Sequence, residues 1–118
     1  MNNYKNLKVW QKSVDLAVKV YEQTQNFPKE EMYGLTSQVR RSAISIPSNI
    51  AEGAGRNSSK EFNNFLGYSH GSSYELETQL IIANRAGLLK SEPFESLQND
   101  INEIQKMNYA LKNSLAKS

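Results

Sequence analysis

Apolar residues recur at steps of three and four along nearly the whole chain, and that spacing removes most folds from consideration before any motif is read. Strands would need strict alternation, which is missing. The spacing is interrupted at Phe27-Pro28, at Gly55 and between Gly87 and Pro93. It therefore predicts four helices, at about 7–25, 31–54, 59–86 and 92–114. Short connections between long helices make consecutive helices antiparallel neighbours. The expected fold class is all-α: an antiparallel up-down-up-down four-helix bundle in a single domain of 118 residues.

The boundaries carry their own chemistry. Pro28 cannot continue a backbone ladder. Gly55 is expected to close the second helix in a left-handed conformation. Ser58-Ser59-Lys60-Glu61 reads as a capping box, and Ser91 as an N-cap ahead of an early proline. Met32, Leu35, Val39, Ala43, Ile46 and Ile50 form the expected core face of the second helix. The fourth helix carries one polar residue, Asn108, in an otherwise apolar seam. It reads either as a register-fixing buried amide or as a residue near a frayed, wet end.

The first helix bears two apolar stripes, roughly 120° apart. Leu7, Trp10, Val14, Ala17 and Tyr21 make one; Val9, Leu16 and Val20 make the other. One stripe docks a helix in a bundle. The second predicts another neighbour, so Val9, Leu16 and Val20 are the expected contact in a cyclic homo-oligomer. The alternative is one broad core face.

The centre of the chain is unusual. Pro47 lies inside the second helix, where it removes a donor and crowds the Ala43 carbonyl. Small residues surround it, and Gly67, Ser69, Gly71, Ser72 and Ser73 fill the middle of the third helix. That pattern predicts a close helix crossing, with serines satisfying the freed carbonyl. A ligand groove at the kink is the second reading. The other face of the second helix repeats Arg41, Ser45, Ser48, Glu52 and Arg56, with Asn49 beside them. Ser45, Ser48, Asn49 and Glu52 are read as a polar network or interface.

No catalytic constellation emerges. Cysteine is absent, which removes disulfides, thiolate nucleophiles and Cys-based metal sites. His70 is the only histidine and has no ligand partner at helical metal-binding spacing. Gly53-Ala54-Gly55 follows no strand and precedes no Gly-Lys-Ser, so it is no phosphate loop. The expectation is a non-enzymatic protein without cofactor or metal. No apolar run approaches a membrane span, and MNNYKNLKVW lacks the apolar core of a signal peptide. A cytoplasmic protein without membrane contact is expected.

Net charge is only +2, but its distribution is uneven. Residues 1–30 hold five Lys against three acids, whereas residues 91–118 hold three Lys against four acids. Lys5, Lys8, Lys12 and Lys19 fall within roughly 60° of one another on a helix. With Arg40, Arg41 and Arg56 they form a candidate phosphate-binding surface. The candidates for contact with RNA or DNA are therefore Lys8, Lys12, Lys19, Arg40, Arg41 and Arg56. A plain solvated face is the competing reading, and a protein scaffold without nucleic-acid contact is the competing function.

The run LKVWQKSVDLAVKVYEQTQNFPKEEMYGLTSQVRRSAISIPSNIAEGAGRNSSKEF, followed by GSSYELETQL, resembles the four-helix-bundle proteins encoded in intervening sequences of bacterial large-subunit ribosomal RNA genes. It is also similar to the accessory variability protein of diversity-generating retroelements. The resemblance covers roughly Leu7 to Leu89, and RRSAISIPSNIAEGAGR is its most specific part. It implies a homopentamer, a cytoplasmic location, no enzyme activity, and association with RNA or DNA, with a nucleic-acid-processing protein as a further partner. The matching motif positions are Arg40, Arg41, Asn49, Glu52 and Arg56. The retroelement proteins are strongly basic, and this chain departs from them there.

Overall fold

A computed structural model describes residues 3–117. Four α-helices follow in order: α1 (Lys8–Thr24), α2 (Leu35–Ala54), α3 (Ser59–Arg85) and α4 (Ser91–Ala116). Single turns of 3-10 helix stand at Tyr4–Asn6 and Lys29–Glu31. Each helix touches its neighbours in the order α1–α2–α3–α4, and α4 returns to α1. Paired contacts run in opposite senses and fix the directions: Ile46 with Ser69 and Gly53 with Phe65, Asn63 with Lys112 and Glu77 with Gln98, Lys12 with Glu103 and Lys19 with Asp100. The bundle is the expected antiparallel one, about 46 Å long and 20–23 Å across.

The core runs along the bundle axis through Leu16, Val20, Val39, Ile46, Ile50, Leu66, Leu76, Leu80, Leu97, Ile101 and Ile104. Here one expectation reverses. Val9, Leu16 and Val20 are 4, 1 and 0% exposed in a single chain, so they are core rather than a free face for a second subunit. Ser13 and Thr24 accompany them because each hydroxyl donates to its own helix, to the Val9 carbonyl at 2.7 Å and the Val20 carbonyl at 2.8 Å. Of the other stripe, Ala17 joins the core, Leu7, Trp10 and Val14 are half-buried and Tyr21 is exposed. Met32 is likewise exposed, because α2 begins only at Leu35, after the bend at Gly34.

α2 continues unbroken through Pro47. The Ser69 hydroxyl donates to the Ile46 carbonyl at 2.9 Å, not to that of Ala43 as expected. Asn108, fully buried on α4, donates to Ser69 Oγ at 3.3 Å. A polar seam thus crosses α2, α3 and α4 in the core, which selects the buried-amide reading of Asn108. The close crossing is real at Gly53: a Cβ there would stand 2.6 Å from Phe65 Cβ.

Two ends differ from expectation. Gly55 is right-handed at φ −83°, since its N–H reaches the Ala51 and Glu52 carbonyls and no reversal is needed. The left-handed residue is Gly87, at φ 82°. Its turn folds Leu88 and Leu89 back onto the Ala83 carbonyl, so Lys90 and not Ser91 is the extended residue before α4. Ser58 caps α3 by accepting from the Glu61 N–H at 3.1 Å.

Candidate functional site

The motif-bearing outer face of α2 forms one wall of a groove of about 580 Å³. Ser45, Ser48, Asn49 and Glu52 line it together with Arg40 and Arg41. Tyr21 from α1, and Met32, Tyr33 and Ile44, supply an apolar remainder. The helical repeat of Arg41, Ser45, Ser48 and Glu52 puts these side chains on one face, as the sequence suggested. The bonds they make are local. Asn49 Nδ2 donates to the Ser45 carbonyl at 2.8 Å, and Arg56 pairs with Glu52 at 3.0 Å. Within the chain, no bond given for these four residues leads to another helix.

The six candidate cations do not form one surface. Lys12 pairs with Glu103, and Lys19 donates to Asp100 Oδ2 at 2.7 Å and Ser96 Oγ at 2.6 Å. Both therefore lie in the α1–α4 seam, where the acidic fourth helix neutralises them. Hydrogen bonding to Glu103, with its charge next, holds the Lys12 ammonium above its ordinary pKa. Arg40 donates Nε to Thr24 Oγ1 at 2.9 Å and lies 4.5 Å over the Tyr21 ring. Arg56 sits 4.6 Å over the Phe65 ring, at the far end of α2. Lys8 and Arg41 alone among the six are exposed and make no hydrogen bond or ion pair among the described residues.

The sequence reading missed the apolar rim. Tyr33 is 97% exposed, and Val18, Met32 and Ile44 are about half exposed. Val18 lies one turn before Tyr21 on α1. Four of the nine exposed large hydrophobics line this one groove: Tyr21, Met32, Tyr33 and Ile44. Ile44 held the signal, as an Ile outside the core register of α2 and next to Ala43.

Among the described residues, no cluster of three or more His, Asp or Glu could hold a metal ion. No helix is long and apolar enough to cross a membrane. The family model described as 23S rRNA-intervening sequence protein matches residues 5–110. A solved structure from Bacteroides thetaiotaomicron VPI-5482, described as a protein of unknown function from the S23 ribosomal protein family, is similar at a TM-score of 0.79 and 29% identity. The match covers 87% of this chain and 96% of that one. No curated protein matches the chain.

Proposed function

The chain belongs to the 23S rRNA-intervening sequence protein family, and on that premise we propose that it works without catalysis, as a self-associating four-helix bundle. The observation that carries this is the α1–α2 groove, where four large apolar side chains, Tyr21, Met32, Tyr33 and Ile44, stand beside a row of Ser, Asn, Glu and Arg. A monomer in water exposes such a patch at a cost, and a second copy removes it. A cyclic assembly, of five copies as the sequence resemblance implies, repeats that contact around a ring.

Light scattering on the full chain tests it. The wild type is expected at a multiple of the chain mass. Ile44→Glu, at an exposed position, is expected to lower that mass while helicity by circular dichroism stays unchanged. A monomeric wild type would sink the reading. Val9→Glu is no substitute, because it places a charge in the core and unfolds the bundle.

A second reading, association with RNA, is favoured by Arg41 and Lys8, whose charges are exposed and uncompensated. Assembly multiplies them, since each copy brings the same pair. Fluorescence anisotropy with a labelled RNA hairpin and a matched single strand, at low and near-physiological salt, checks it. Binding that weakens steeply with salt supports phosphate contact. Absence of binding at low salt removes the reading.

A further inference from the structure

The side of the bundle opposite the α1–α2 groove carries a second surface that the motif analysis did not absorb. On α3, Gly67, His70, Gly71 and Tyr74 follow at spacings of three, one and three, so they share one stripe. On α4, Asn102, Gln105, Lys106 and Tyr109 repeat the same spacing. His70, Tyr74 and these four α4 residues line a groove of about 320 Å³, near the lower end of ligand-site sizes of about 300–1,000 Å³.

Four observations define what fits. Tyr74 and Tyr109 are 53 and 61% exposed, so both offer ring surface to an incoming group. Lys106 is exposed and makes no ion pair among the described residues. His70 stacks edge-on against Tyr74 at 4.9 Å, and its Nδ1 is buried without a hydrogen-bond partner. Gly71 lies next to His70 and one turn before Tyr74, on the stripe beside the groove. A Cβ at Gly71 would meet nothing within 4 Å, so no contact within the chain requires glycine there. Glycine in a helix interior costs about 1 kcal/mol relative to alanine. A ligand approaching the α3 backbone accounts for Gly71, whereas at Gly67 a Cβ would already come 3.4 Å from Lys112 Nζ.

The charge balance has a sign. Glu77, the carboxylate bonded to the groove residue Gln105, accepts from Gln98 at 2.6 Å and from Gln105 at 3.1 Å. At the other end, Lys112 is held by Asn63 Oδ1 at 2.9 Å, and its ammonium adds positive field at His70. Exposed aromatic faces, a carboxamide edge and free ammonium charge suit a planar, hydrogen-bonding, anionic group. We infer that the α3–α4 groove binds nucleotides of single-stranded RNA, with bases stacked on Tyr109 and Tyr74 and a phosphate against Lys106. This names the surface for the RNA reading above and rests on it.

The test uses the full chain and a fluorescein-labelled oligoadenylate of about a dozen nucleotides. Tyr109→Ala is expected to weaken binding about tenfold, within the range for loss of one stacked base, and Tyr109→Phe to restore it. Lys106→Gln is expected to weaken binding and reduce its salt slope. Gly71→Leu is expected to abolish binding while leaving helicity intact. If Arg41→Gln abolishes binding and Tyr109→Ala does not change it, the groove falls and the RNA reading stands. If the wild type binds no oligonucleotide at low salt, both fall. If Tyr109→Ala lowers the particle mass in light scattering, the groove is a subunit contact and the inference is overturned.

Discussion

Ser69 occupies the middle of a buried relay, donating to the Ile46 carbonyl and accepting from Asn108. Ser69→Ala removes both bonds and leaves a buried amide donor unpaired, which costs about 1–3 kcal/mol. Asn108 Oδ1 already lacks a partner, so Asn108→Leu is expected to be neutral or stabilising in thermal unfolding. If Ser69→Ala melts at the wild-type temperature, the relay carries no stability. His70 makes a different prediction at the same scale. Its burial, and secondarily the Lys112 charge, lower its pKa below the ordinary value of 6.5. The unfolded chain then binds the proton more readily, so stability is full above about 6.5 and declines as pH falls from there toward the folded-state pKa. Urea midpoints taken through that window should fall in the wild type and flatten in His70→Gln. Parallel slopes would show that His70 is not the titrating group.

The helix α1 shows what a sequence can and cannot reveal about an element. Its existence, length and partners follow from spacing and from Pro28. Its rotation does not, because two apolar stripes compete and the true core stripe is interrupted by Ser13 and Thr24. Those hydroxyls read as polar in sequence yet donate within their own helix, so they bury with their protons satisfied, and Thr24 also accepts from Arg40. The basic stripe misled for a related reason. Lys12 and Lys19 find their partners, Glu103 and Asp100, more than eighty residues later, beyond any local pattern. The α2 face was legible because its partners lie within one helical turn. The apolar rim of its groove was not, because Tyr21 and Tyr33 join it only through the α1–α2 turn. Asp100→Asn with Glu103→Gln tests the seam. Both pairs are largely solvent-exposed and screened, so the melting temperature should move little. RNA held in the α3–α4 groove should keep its affinity; a rise as Lys12 and Lys19 lose their intramolecular partners would place RNA at this seam instead.

At the scale of the whole molecule, the proposed self-association would make stability depend on protein concentration. Tenfold dilution should lower the thermal midpoint of the wild type and leave that of Ile44→Glu unmoved. A midpoint independent of concentration in both would argue for a monomer. The glycines of α2 and α3 extend the contrast between folding and binding to the entire chain. At Gly53 a side chain of any size meets Phe65 and Phe62 of the neighbouring helix, whereas at Gly71 it meets open space. A library of all single substitutions, sorted once for folded protein and once for RNA capture, would treat the two positions oppositely. Position 53 would be lost from both sorted pools. Position 71 would pass the first sort freely, even gaining from alanine, and vanish in the second.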